Sequence, residues 1–153
     1  RAKVRRLQAK ADIKFILIDY MQLMRSSKKR VESRFHEVSE IVRDIKGFAK
    51  ESGIPIMALS QLSRAVEQRQ DKTPQLSDLR ESGEIEQTAD LVMFINRDDY
   101  YQTPGEDTPS NGLSKSDIII AKHRNGPTGA VTLMFNKNIS RFQDAEKVHV
   151  VPH

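Results

Sequence analysis

The apolar positions of the chain fall into short runs separated by one long segment of helical periodicity. Phe15 to Ile18 are four consecutive large apolar residues before Asp19, a pattern typical of a strand buried on both faces of a parallel sheet. From Val31 to Ser52, apolar residues recur every three or four positions and predict an amphipathic helix that stops at Gly53. A second buried strand, Ile54 to Leu59, follows. Strand, helix and strand together predict a right-handed βαβ unit.

The remaining elements are shorter. Residues 1–12 have helical spacing of their apolar positions and predict a helix before the first strand. Residues 62–90 are rich in charges and turn formers and predict a loop that leads into a short helix near Ser82 or Gly83. Leu91 to Ile95 predict a third buried strand, and the turn-rich residues 96–116 a variable surface loop.

The last third of the chain has the pattern of an antiparallel hairpin. Asp117 to Ala121 and Ala130 to Phe135 are predicted strands, joined by the turn sequence KHRNGPTG. Ile139 to Phe142 could add a short edge strand, and residues 144–153 are a tail. The fold predicted from the pattern is therefore α/β.

Composition narrows the class of protein. A chain of 153 residues with 37% apolar and 30% charged residues fits one soluble globular domain. It contains no Cys, which excludes disulfides, a thiol nucleophile and a cysteine-bound zinc. The lack of Cys also agrees with an intracellular protein. No apolar run has the length of a membrane span and no signal peptide is visible, so we expect no membrane partner.

The net charge of +4 is unevenly distributed. Residues 1–30 contain 10 Lys and Arg against 2 Asp, which makes this segment the expected polyanion-facing part. The chain opens on Arg1, inside a helical pattern, so we expect it to be a piece of a longer protein.

Polar side chains follow both strands of the predicted βαβ unit. Asp19 ends the first strand, and Ser60 and Gln61 end the second. The carboxyl ends of parallel strands meet at one sheet edge, where α/β proteins bind ligands. In nucleoside triphosphatases an aspartate at this place holds the magnesium ion on the phosphates. The alternative is that Asp19 only begins a turn, but two polar strand ends are less easily accidental than one.

Basic residues are concentrated in three loops. In the loop that follows the first strand, positive side chains could hold phosphates. In the hairpin, they could stabilise charge on a transferring phosphoryl group. Around Gly83, Arg80 and backbone amides could form an anion cradle. The alternatives are an ordinary charged surface loop, a surface hairpin and a capped turn. The basic residues of the first loop are Arg25, Lys28, Lys29, Arg30 and Arg34, and those of the hairpin are Lys122 and Arg124.

Four motifs together produce a resemblance that none produces alone. They are FILIDYMQL, IPIMALSQLSR, QLSDLRESGEIEQTADLVMFI and IIIAKHRNGPTGAV. In this order and spacing they resemble the C-terminal motor domain of bacterial DnaB-type replicative DNA helicases, which is a RecA-like hexameric ATPase. The resemblance extends over the chain outside residues 96–116 and the tail. It implies a P-loop NTPase core, with a mostly parallel sheet flanked by helices and a C-terminal β-hairpin.

The resemblance implies roles at the nucleotide. Asp19 matches the aspartate that helps to hold Mg²⁺ on ATP, and Gln61 matches the glutamine that senses the γ-phosphate and relays its state to DNA-contacting loops. Arg124, with Lys122, matches the arginine finger and companion lysine that complete the ATP site of the neighbouring subunit. The implied cofactors are ATP and Mg²⁺, and the implied assembly is a homo-hexamer.

The resemblance also implies contacts to single-stranded DNA. Arg80, Glu81 and Gly83 match the loop that holds the DNA backbone in the central channel, and the basic loop from Arg25 to Arg34 occupies the place of the other channel loop. Primase and a helicase loader are the further partners implied, at the replication fork in the bacterial cytoplasm. The polarity of translocation and the loader and primase surfaces do not follow from the sequence.

One departure from the family pattern changes the expectation. No G-x-x-x-x-G-K-[ST] motif occurs among the seven glycines, and the catalytic glutamate and N-terminal collar of the family have no counterpart here. We therefore expect residues 1–153 to be a partial domain that does not hydrolyse ATP alone, with an unfilled slot in its sheet between the second and third strands. A RecA-type repair ATPase and a non-catalytic DNA- or partner-binding fragment remain as alternatives.

Overall fold

The computed structural model describes residues 2–26, 33–79, 83–97, 99 and 112–145. These residues form three α-helices and six β-strands, together with short 3-10 turns. The chain divides into two compact units: Arg1–Gln70 with Leu76–Ala89, and Asp71–Gln75 with Asp90–His153. Within the described ranges, no helix has the length and hydropathy needed to cross a membrane.

The first unit contains the predicted βαβ arrangement. Its elements are α1 (Ala2–Gln8), β1 (Ile16–Ile18), α2 (Arg34–Ser52), β2 (Ile56–Ala58) and α3 (Gly83–Thr88). β1 and β2 pair in parallel, with Ile16 opposite Ile56 and Ile18 opposite Ala58. The predicted parallel pairing of the first two strands is therefore confirmed.

Local chemistry sets both ends of α2. The Ser33 hydroxyl accepts a hydrogen bond from the His36 amide at 3.3 Å, which satisfies one of the unpaired donors of the first turn. Gly53 ends the helix in the left-handed conformation, with φ of 67°. The residues of α2 that are buried against the core form one stripe along the helix, as predicted, and are Val38, Ser39, Ile41, Val42 and Phe48.

The first sheet is less covered than the sequence predicts. Leu17 and Met57 are opposite each other in the register and are 57% and 39% exposed. The expectation that β1 is buried on both faces is therefore wrong in the described structure, because a sheet of two short strands has one face without covering elements.

The second unit is an antiparallel sheet. Its strands are β3 (Leu91–Asn96), β4 (Leu113–His123), β5 (Gly129–Asn136) and β6 (Arg141–Asp144), paired in this order. The predicted hairpin is confirmed as β4 and β5, although β4 begins inside the predicted loop 96–116. The predicted edge strand is shifted, because residues 137–140 form the turn that precedes β6.

The expectation of a mostly parallel sheet is wrong for the described strands, since β3 pairs antiparallel with β4. Burial explains the error. Val92 and Phe94 are buried, at 7% and 4% exposure, whereas Met93 and Ile95 are 42% and 60% exposed. β3 therefore has one covered face, which antiparallel strands tolerate, but its exposed positions are apolar and the sequence does not show the alternation.

A Gly→Ala substitution is expected to change the free energy of unfolding in opposite directions at Gly47, inside α2, and at Gly53, its C-cap. At Gly47, inside the helix, Ala should stabilise the protein by about 0.5–1 kcal/mol because it restricts the unfolded backbone. At Gly53 it should destabilise by about 1–2 kcal/mol because the left-handed conformation disfavours a Cβ. At neither position would a Cβ lie within 4 Å of another group, so packing does not interfere.

Chemical denaturation of the two variants measures both free energies of unfolding. Each variant is the control for the other, and equal shifts of the same sign would contradict the assignment of the helix end at Gly53.

Candidate functional site

The carboxyl ends of β1 and β2 lie side by side, as the sequence predicts. The hydrogen-bond ladder continues past both strands, since the Leu59 amide donates to the Ile18 carbonyl and the Met21 amide donates to the Leu59 carbonyl, each at 2.9 Å. Asp19 therefore follows directly on the ladder and is exposed, and its peptide bond to Tyr20 is cis. Gln61 is exposed at the end of the neighbouring strand.

Gln22 joins these two strand ends, a role that the sequence analysis missed. Its side-chain amide donates to the Ser60 hydroxyl at 3.0 Å and to the Gln61 carbonyl at 3.4 Å. Its side-chain oxygen accepts from the Gln61 amide at 3.3 Å. Gln22 thus holds the backbone of Gln61 from both sides. The available signal was a polar residue inside the apolar run Met21 to Met24.

Arg34 anchors the segment after β1 to the start of α2. Its guanidinium donates to the Gln22 carbonyl at 2.7 Å and to the Met24 carbonyl at 3.4 Å, and it forms an ion pair with Glu37. The side chain is 29% exposed. Arg34 is therefore used within the unit, on the same backbone that carries Gln22, whereas Arg25 is 75% exposed and reaches Glu37 at 3.3 Å.

The Glu37 carboxylate accepts hydrogen bonds from Ser26, Arg34 and Arg25, and we call these four residues the Glu37 corner. The Ser26 amide donates to its carboxylate at 3.0 Å, and this bond, followed by the hydrogen bond from Arg34, lowers the pKa of Glu37 below its ordinary value of 4.5. The carboxylate is therefore charged wherever the protein is folded near neutral pH. The other predicted residues of this basic loop, Lys28, Lys29 and Arg30, lie outside the described residues.

The second candidate DNA loop adjoins α3. Arg80 and Glu81 lie outside the described residues, and Gly83 is the first residue of α3. Arg43 on α2 fixes this helix, because its guanidinium donates two hydrogen bonds to the Glu84 carboxylate, at 2.9 and 2.6 Å. The bond from Arg43 lowers the pKa of Glu84, and Thr88 adds a second donor at 2.9 Å. The helix that follows the loop is thus attached to α2 through Arg43 and Glu84, and the Thr88 hydrogen bond lies within α3.

The basic residues of the hairpin lie in the second unit. Lys122 is half-buried near the end of β4, and Arg124 follows the strand and is exposed. The Arg124 amide donates to the Asp90 carbonyl at 2.8 Å, and its guanidinium Nε lies 3.2 Å from the Asp90 carboxylate. A Cβ at Gly126 would meet the His123 ring, so a larger residue there would require that exposed side chain to move. The backbone of Arg124 is therefore fixed while half of its side chain faces solvent.

Asp19 is the carboxylate at the β1–β2 sheet edge that could take part in holding a metal ion. No group of three or more His, Asp or Glu that could hold a metal ion occurs among the described residues. Mg²⁺ commonly uses one or two carboxylates and completes its shell with phosphate oxygens and water. The exposed carboxylate of Asp19, at a sheet edge, fits that manner of binding.

Comparison with known proteins shows which family the chain is similar to. Residues 1–144 match the family model of the DnaB-like helicase C terminal domain. The chain is 51% identical over 147 residues to the replicative DNA helicase DnaC of Bacillus subtilis, and this match covers 96% of the chain and 31% of that protein. It is 54% identical over 142 residues to the replicative DNA helicase DnaB of Mycobacterium intracellulare, covering 93% of the chain and 24% of that protein.

Solved structures give the same result for the fold. A solved ATPase domain matches with a TM-score of 0.82 and 47% identity, over 94% of this chain and 49% of that one. A structure of a DnaB-like replicative helicase and its interactions with primase matches with a TM-score of 0.82 and 46% identity, over 94% and 34%. The chain thus spans a third or less of the two helicases named above and about half of that ATPase domain.

The Glu37 corner is expected to make stability depend on pH. Because its pKa is lower in the folded than in the unfolded chain, Glu37 stabilises the protein fully above its ordinary pKa of 4.5. That stabilisation is lost as the pH falls through the lower, folded value. Thermal unfolding of wild type and Glu37→Gln between pH 7 and pH 3 measures the effect. The difference between the two proteins should shrink toward acid pH, and a constant difference would contradict the assignment.

Proposed function

This chain belongs to the DnaB-like helicase C-terminal domain family, and on that premise we propose that it is part of a replicative DNA helicase. Such a protein uses ATP hydrolysis to move along single-stranded DNA and to unwind the duplex at the replication fork. The observation that carries the proposal is the sheet edge at which Asp19 and Gln61 end adjacent parallel strands. This is the edge where α/β proteins bind nucleotides.

At this edge, Asp19 would hold Mg²⁺ together with the phosphates of ATP, and Gln61 would contact the γ-phosphate. Bound Mg²⁺ neutralises charge on the transferring phosphoryl group. Gln22 supports the assignment of Gln61, because it fixes the Gln61 backbone at both its amide and its carbonyl. Because the Gln61 backbone is held in this way, a change in the contacts of the Gln61 side chain would move the side chain and its strand end together. It would not simply make the side chain disordered.

Arg124, with Lys122, would complete the ATP site of a neighbouring subunit in a hexamer. An arginine supplied in this way stabilises charge in the transition state. The turn supports this role because it fixes the Arg124 backbone and leaves the guanidinium 3.2 Å from the exposed carboxylate of Asp90. An exposed ion pair of this kind is worth less than about 1 kcal/mol, so a phosphate can displace Asp90.

Single-stranded DNA would be held by two loops of the first unit. In the first loop, Arg25, Lys28, Lys29 and Arg30 supply positive charge, and the geometry of Arg34 supports a positioning role. In the second loop, Arg80, Glu81 and the backbone at Gly83 hold the DNA backbone. Phosphate contacts carry no sequence information, which suits movement along any sequence.

Primase and a helicase loader are proposed partners of the whole protein, and the cytoplasm at the replication fork is its proposed location. The primase proposal has support from the similar helicase whose structure was determined for its interactions with primase. The phosphate-binding loop has no counterpart in residues 1–153, so we expect this polypeptide alone to show no ATP turnover.

Loss of Arg124 or Asp19 is expected to be complementable between subunits. In the full-length protein, Arg124→Ala should lower kcat for ATP by about a thousandfold, since it removes charge stabilisation of the transition state, and Asp19→Ala should also abolish turnover. Mixing the two variants should restore part of the activity, because some interfaces then join an intact Asp19 to an intact Arg124. Steady-state ATPase and duplex unwinding assays measure both effects.

Arg141→Ala is the matched control for these variants, since Arg141 is an exposed arginine of the same unit on β6. It should leave turnover unchanged. Wild-type turnover in Arg124→Ala would refute the role of the hairpin, and no recovery on mixing would refute action across a subunit boundary.

A further inference from the structure

The segment between β2 and α3 is closed on itself. Leu62 and Leu79 form an isolated antiparallel bridge, and the Ser63 amide donates to the Asp78 carbonyl at 2.8 Å. We call residues 62–70 with 76–79 the clip. Val66 and Leu79 are 2% and 5% exposed, so the clip also contributes buried apolar side chains.

An ion pair strengthens this closure. The Arg69 guanidinium donates two hydrogen bonds to the Asp78 carboxylate, at 2.9 and 2.7 Å, and the two side chains are 29% and 6% exposed. A bidentate pair fixes the orientation of both groups as well as their distance. Because Asp78 is buried, loss of Arg69 would leave a charge without this bidentate partner, which makes the pair unlike the exposed ones on the surface.

The two ends of the clip are adjacent in sequence to the candidate nucleotide site and to the second candidate DNA loop. Leu62 follows Gln61, whose backbone is held by Gln22, and Leu79 precedes Arg80, the first residue of the second candidate DNA loop. Leu62 and Leu79 are bridged to each other, so a direct backbone pairing joins the two sites. The ion pair of Arg69 with Asp78 closes the clip on the side away from Gln61.

We propose that Arg69 and Asp78 are positioning residues that couple nucleotide state at Gln61 to the grip of the Arg80–Gly83 loop on DNA. This inference rests on the proposed function, since it assumes that Gln61 contacts nucleotide and that the loop contacts DNA. Neither Arg69 nor Asp78 touches the substrate in this proposal. They keep the clip rigid, so that a movement of the strand end that carries Gln61 and Gln22 would be passed through Leu62 to Leu79.

The physical reason is that coupling needs an element with defined positions. Energetic coupling travels through packed side chains and hydrogen-bonded elements that move as units. Without the ion pair, the clip retains the bridge between Leu62 and Leu79 and the backbone hydrogen bond between Ser63 and Asp78, but it loses its bidentate closure. A displacement at Gln61 would then be absorbed by bending of the clip before it reaches Arg80.

Two variants of the full-length protein test the proposal. Arg69→Lys keeps the charge next to Asp78 but removes the bidentate geometry. The double variant Arg69→Gln with Asp78→Asn removes both charges together, so no buried charge of this pair is left behind and folding is preserved. Lys115→Gln is the matched control, because the ion pair of Lys115 with Asp117 lies outside the clip and the Lys115 side chain is 59% exposed.

Three quantities are measured for each protein: ATP turnover without DNA, ATP turnover with single-stranded DNA, and DNA affinity with a non-hydrolysable ATP analogue or with ADP. In both clip variants, basal turnover and the thermal unfolding midpoint should stay near wild type. The ratio of DNA-stimulated to basal turnover should fall about tenfold, and the difference in DNA affinity between the two nucleotides should shrink by a similar factor. Lys115→Gln should retain both ratios.

The outcomes separate this inference from the proposed function. If the wild-type protein shows no DNA-stimulated ATPase activity, the proposed function fails and the inference fails with it. If wild type is stimulated and both clip variants keep the wild-type ratios, only the coupling role is refuted. A fall in basal turnover and thermal midpoint that accounts for the whole loss would show a purely structural role and would also refute it.

Discussion

Continuous backbone hydrogen bonding at the end of the β1–β2 pair is the interaction on which the candidate nucleotide edge depends. Each strand has only three residues, yet the ladder extends to Leu59 and Met21, beyond the assigned strand ends. The amide of Gln22 then takes over where backbone pairing stops, and it satisfies the donor and acceptor of Gln61. Unpaired backbone groups are costly away from water, so this continuity fixes the places of Asp19 and Gln61.

Arginine supports the segments around this edge in three places. Arg34 holds the backbone after β1, Arg43 holds α3 through Glu84, and Arg69 closes the clip through Asp78. In each case a planar guanidinium satisfies two acceptors in a fixed geometry, which lysine cannot reproduce. These arginines determine where the exposed candidate residues stand, so only part of the basic residues of the chain is left for the proposed contacts with a polyanion.

Local pattern was enough to predict the βαβ unit, the hairpin and the C-terminal end of α2, whereas the helix begins at Arg34 rather than at the predicted Val31. Periodicity specified α2, and Gly53 marked its stop, because these signals depend on neighbouring residues alone. The pairing of β3 was not predictable in the same way, since Val92 and Met93 are both apolar although only Val92 is buried. Asp19 and Gln61 were expected at one edge from strand order, whereas Gln22 depends on a contact across 38 and 39 residues and gave only a weak signal.

The contacts of Arg34 have a thermodynamic consequence for ion release. When a basic side chain neutralises a phosphate of single-stranded DNA, condensed counterions are set free, and each such contact makes the slope of log affinity against log salt concentration more negative by about 0.7. Arg34 already neutralises Glu37 and has no such increment to give while that pair persists. Under the proposed DNA-binding role, a count of cations in this loop would therefore overstate the counterion entropy gained on binding.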